Sequence, residues 1–135
     1  MNMKIEDIEG IGPTFSEKLR IVEIITVESL LEKGAHPDGR KMISEMTGIE
    51  SSKILKWVNL CDLCRISGVS TQYSELLEMA GVDTVKELRN RNAENLHTKI
   101  QEVNAEKYLV RKIPSLQSVS SWVEQAKKMD PAVQY

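Results

Sequence analysis

An all-α fold made of two similar halves is what this sequence predicts, and three observations lead there. Strand signals are absent, since no period-two run of β-branched residues extends past four positions. Apolar residues recur instead at helical spacing, between residues that start or stop helices. Finally, residues 8–31 and 66–89 are one segment written twice, 58 positions apart. Eight of the 24 aligned pairs are identical: Ile8/Ile66, Gly10/Gly68, Ser16/Ser74, Glu17/Glu75, Leu19/Leu77, Thr26/Thr84, Val27/Val85 and Leu30/Leu88. Composition alone gives roughly one or two, so the segment is read as an internal duplication.

In chain order, a short helix around Ile5–Ile8 meets a turn at Glu9–Pro13. Thr14, with Glu17 three residues on, fits a capping box opening a helix that carries Phe15, Leu19 and Val22 on one face. Thr26 caps a short helix with Val27, Leu30 and Leu31, which stops at Gly34. Pro37 suits the first turn of the next helix, through Met42, Ile43 and Met46 to Gly48. Ser51 or Ser52 starts a longer one through Ile54, Leu55, Trp57, Val58 and Cys61. The second copy restarts at Ile66, with Thr84 and Glu87 as another capping box. Asn92 and Asn104 are read as caps of two further helices, and Pro114-Ser115 opens the last, carrying Leu116, Val119, Trp122, Val123 and Ala126. Trp57-Val58 and Trp122-Val123 close the two halves at an offset of 65, which places about seven extra residues near Tyr108–Pro114. The halves are therefore residues 1–65 and 66–135. With only about 65 residues each, they are expected to pack as one compact unit.

The bulk properties narrow the function. The 135 residues are 41% hydrophobic and 28% charged, an ordinary globular balance. No run has the length of a membrane span and the start has no signal-peptide core, so a cytoplasmic location is expected. The net charge of −2 argues against strong DNA affinity. Residues 1–23 hold three basic and five acidic side chains, and residues 62–89 hold the same numbers. The basic excess lies later, in Arg89, Arg91, Lys99, Lys107, Arg111 and Lys112.

The duplicated unit is a hydrophobic residue, a glycine turn and an amphipathic helix, which is the outline of a helix-hairpin-helix. Its chemistry is that of the backbone. A Gly-hydrophobic-Gly turn reaches positive φ and approaches a surface closely, and its N–H groups converge with the helix start on a phosphate oxygen. Gly10-Ile11-Gly12-Pro13 fits this, with Ile11 pointing inward. In the second copy Gly68-Val69-Ser70 lacks the second glycine, although the Ser70 hydroxyl retains a donor. The plain alternative, that the turns only pack helices, weighs more at this second copy.

Other chemistry is thin. Cys61-Asp62-Leu63-Cys64 is a CxxC inside or ending a helix, and it supplies two of the four ligands that structural zinc needs. Its thiols are read as core groups. His36 and His97 stand alone, so no nucleophile–base pair emerges and no enzyme is expected. Trp57 and Trp122 are read as core anchors. Neither a metal nor a cofactor is implied.

The segments Ile8–Pro13, Lys56–Leu60 and Gly81–Leu88 carry a resemblance. Ile8-Glu9-Gly10-Ile11-Gly12-Pro13 followed by Thr26-Val27 is similar to helix-hairpin-helix segments of DNA repair proteins and DNA ligases, and of the RNA polymerase alpha subunit's C-terminal domain. More closely, residues 5–135 resemble an uncharacterised prokaryotic family with a tandem helix-hairpin-helix-like domain. The resemblance implies the fold and carries no activity. The resulting expectation is a binding module that makes weak, sequence-independent contact with double-stranded DNA through Gly10, Ile11 and Gly12. Lys18 and Arg20 assist it, and Gly68 and Ser70 contribute less. The alternative is a protein–protein interaction or assembly module, which the acidic turns favour.

Overall fold

Short polar side chains and two prolines set where the helices of this chain begin. The computed structural model describes residues 3–135, so the first two residues of the expected 1–65 half lie outside it. A 3₁₀ turn (Ile5–Asp7) is followed by α1 (Pro13–Ile21), α2 (Val27–Gly34), α3 (Pro37–Thr47), α4 (Ser51–Leu63), α5 (Thr71–Met79), α6 (Val85–Leu88), α7 (Ala93–Lys107) and α8 (Leu116–Lys127). The described residues contain no strand beyond an isolated bridge between Lys4 and Thr26. The fold is all-α. No helix among these residues is long and apolar enough to cross a membrane.

Several starts differ from the sequence pattern, for local reasons. Pro13 takes the first helical position of α1, with Gly12 before it as N-cap. Thr14 therefore already has helical backbone and cannot cap, and no capping box with Glu17 forms. Thr26 does form one, with Ser29 as the reciprocal partner. Thr84 precedes α6 but makes no capping bond, and the Glu87 carboxylate accepts the Asp83 N–H at 3.4 Å instead. Asn92 caps α7 through the Asn95 N–H. Asn104 is not a cap: it lies inside α7, so the two helices expected there are one. His36 caps α3 by accepting the Asp38 N–H at Nδ1.

The chain divides into two compact units, one of residues up to Asp62 together with Ala132–Tyr135, the other Leu63–Pro131. In the first, α3 packs on α1 and α2. Its buried side chains include Ile5, Ile8, Leu19, Ile24, Leu30, Ile54 and Trp57. The last residues complete this unit. Val133 is buried, the Gln134 N–H bonds the Ala35 carbonyl at 2.8 Å, and the Tyr135 hydroxyl reaches Asn59 Oδ1 at 3.2 Å. Arg40 clamps them: it donates to the Gly34 and Ala35 carbonyls from Nη1 and to the Gln134 carbonyl from Nη2 at 2.7 Å. Burial lowers the Arg40 pKa and Tyr135 partly offsets this, yet a guanidinium so placed stays charged at neutral pH.

In the second unit α7 packs on α8 and α5, and α6 on α8. Leu63, Ile66, Leu76, Leu77, Leu88, Leu96, Ile100, Val119 and Trp122 belong to one buried cluster.

Candidate nucleic-acid interface

The turn before α1 is assembled from its own backbone. The Ile11 N–H bonds the Ile8 carbonyl at 3.1 Å, which closes the turn, and the buried Ile11 side chain holds it on the unit's core. Gly10 sits at φ +92, and a Cβ there would come within 3.3 Å of Trp57 Nε1. Gly12 differs from the sequence expectation of positive φ. Its backbone is extended, with φ −86, and a Cβ there would meet nothing within 4 Å. Of the two glycines, then, Gly10 serves the fold and Gly12 leaves space outside the turn.

That space faces an uncapped helix. Gly12 has no side chain to cap α1, and no acceptor among the described residues takes the N–H groups of Gly12, Thr14 or Phe15. Such donors carry the positive end of the helix dipole. Phe15 lies edge-on to Trp57, with ring centroids 5.2 Å apart. Two ammonium groups stand near the Phe15 ring: Lys18 Nζ at 6.0 Å from its centroid and Lys53 Nζ at 5.8 Å. Lys53 comes from α4. Sequence reasoning missed it because nothing in the spacing of the turn points to a helix almost forty residues on. Arg20 is exposed in the last turn of α1, about 12 Å along the axis from Gly12, and is not brought to the turn.

The second turn repeats the backbone and changes the surface. The Val69 N–H bonds the Ile66 carbonyl at 3.1 Å, Gly68 has φ +95, and a Cβ on it would lie 3.0 Å from Trp122 Nε1. Tyr73 and Trp122 have ring centroids 5.5 Å apart. Ser70 is the N-cap of α5, and its Oγ accepts the Tyr73 N–H at 3.1 Å. One donor that is open at α1 is therefore satisfied here by the protein itself. Leu76, buried, aligns with Lys18, and Ser118 with Lys53 if the tryptophans are matched.

The cysteines and His97 do not assemble into a site. Cys61 is buried and Cys64 partly so, and no group of three His, Cys, Asp or Glu side chains among the described residues is placed to hold a metal. His97 Nε2 lies 3.0 Å from the Pro114 carbonyl. The late basic residues are spread along the chain. Arg89 and Arg91 precede α7, Arg111 and Lys112 follow it, and Lys99 pairs with Glu102 at 4.0 Å.

Residues 9–129 match the family described as Domain of unknown function (DUF4332). The chain belongs to the DUF4332 family. No curated protein matches it, and no solved structure does. The match of this DUF4332 chain spans both turns and both tryptophans, so the paired geometry lies inside the family's domain.

Proposed function

We propose that this DUF4332 protein is a cytoplasmic, non-enzymatic binding module that contacts the sugar-phosphate backbone of double-stranded DNA without reading sequence. On this reading the two units are copies of one helix-hairpin-helix-like element. Support comes from the matched glycines at φ +92 and +95, each beneath a tryptophan Nε1. The observation that carries the functional reading is the open start of α1. Unpaired N–H groups, free space at Gly12, and Lys18 and Lys53 on one ring favour an anion there. Gly10 and Ile11 shape the turn and Gly12 admits the phosphate, while Gly68 and Ser70 hold the weaker copy. Neither metal nor cofactor enters this reading.

Anisotropy of a labelled duplex at low salt tests it. Binding should be micromolar or weaker and should fall steeply with ionic strength, as phosphate contacts do. Gly12→Glu should abolish binding while leaving helicity unchanged, and Ser70→Glu should reduce it only modestly. Lys18→Glu and Lys53→Glu should each remove about one phosphate contact from the salt slope. A second reading has an observation of its own. Exposed Ile21, Met42 and Met46 line a groove of about 460 Å³, a surface suited to a protein partner. Absence of duplex binding even at low salt would remove the DNA reading and leave the interaction module.

A further inference from the structure

The connection between α7 and α8 begins on an unusual helix end. In the first unit α3 ends at Gly48, with φ +77, and only residues 48–50 lead to α4. In the second unit the residue ending α7 in the left-handed conformation is Tyr108, with φ 49, and residues 108–115 follow before α8. A bulky residue rarely adopts that conformation, and one that does invites a search for function. The Tyr108 N–H closes α7 on the Asn104 carbonyl, and the side chain, 71% exposed, is not drawn into the core.

The segment around it is held firmly. The Asn104 amide, buried, donates to the Val110 carbonyl and accepts the Val110 N–H, both at 3.0 Å. The Tyr73 hydroxyl donates to the Lys112 carbonyl at 2.9 Å. These bonds fix the backbone and leave the side chains of Tyr108, Arg111 and Lys112 facing solvent. Among the described residues neither cation has an ion-pair partner. All three line a cleft of about 430 Å³ with Gln72 and Tyr73 from the first turn of α5.

A flat aromatic face beside two unpaired cations, on a rigid loop, matches the two parts of a nucleotide. We propose that this cleft binds single-stranded nucleic acid, with a base stacked on Tyr108 and the adjoining phosphates on Arg111 and Lys112. The site is separate from the Gly12 turn and does not depend on the duplex reading. An acidic polypeptide would engage the cations but has no use for the exposed ring.

The test is anisotropy of a labelled oligothymidine, which forms no duplex, with circular dichroism checking each variant's helicity. Wild type should bind at low salt. Tyr108→Asn suits the left-handed backbone and removes the ring, and it should weaken binding roughly tenfold. Arg111→Ala/Lys112→Ala should weaken it at least as much and flatten the salt dependence by about 1.4 units of slope, as two single-strand phosphate contacts would. An abasic strand of equal length should bind wild type no better than oligothymidine binds Tyr108→Asn. Gly12→Glu, which should abolish duplex binding, should cost oligothymidine less than Tyr108→Asn does. The proposal falls if wild type does not bind, if Tyr108→Asn binds as wild type does, or if polyglutamate displaces the strand with equal potency from wild type and Tyr108→Asn.

Discussion

Gly10 and Gly68 each place a bare α-carbon under the nitrogen of a tryptophan, and Gly12 does not. This gives three chemically identical substitutions three different expected outcomes. Gly68→Ala adds a left-handed strain of about 1–2 kcal/mol to a 3.0 Å clash with Trp122, so a loss of about 2–3 kcal/mol is expected in urea unfolding. Gly10→Ala shares the strain with a softer 3.3 Å contact and should lose somewhat less. Gly12→Ala should be close to neutral, and a large loss there would contradict the open geometry described. That glycines form the turn is legible in sequence. Which of them bears the positive φ is not, because Pro13 starts α1 two residues earlier than a Thr14 cap would and leaves Gly12 extended before it. For the same reason Thr14, which has the composition of a cap, is carried into the helix.

At the scale of an element, α7 shows how a polar residue misleads. Asn104 looks like a helix start because asparagine favours caps, yet it lies near the end of a continuous helix and binds a loop residue six positions on. Asn104→Ala would leave both backbone groups of Val110 unpaired in a buried place. A loss of about 2–4 kcal/mol is expected from thermal or urea unfolding. The substitution should also loosen the cleft, so that oligothymidine affinity falls although no residue touching the strand has changed. Helix existence and the buried faces of α1, α4 and α8 follow from periodicity, since Leu19, Trp57 and Trp122 occupy core positions in both sequence and structure. Lys53 and the Tyr108–Lys112 cleft do not follow, because each is created when segments distant in sequence or irregular in backbone come together.

Across the whole molecule, the likeness of residues 8–31 to 66–89 is plain in the sequence, while the closing segment is not. Residues 132–135 have no periodicity and no motif, yet Val133, Gln134 and Tyr135 pack and bond with Ala35, Arg40 and Asn59. Ending the chain after Pro131 would remove an apolar anchor and leave one arm of a buried guanidinium without its acceptor. Such a truncation should lower the stability of the first unit by about 3–4 kcal/mol, read from the urea midpoint of a Trp57 fluorescence signal after replacing Trp122 with Phe. Restoring the four residues should recover it. The same closure bears on how the protein is made. A ribosome delivers α1 through α4 first, but the residues that finish their unit emerge only after all of α5 to α8 has been translated. Folding here cannot simply proceed from the beginning of the chain to its end, as successive domains commonly do. Of the two units, the one begun first is completed second, and until then Nη2 of Arg40 is left to water.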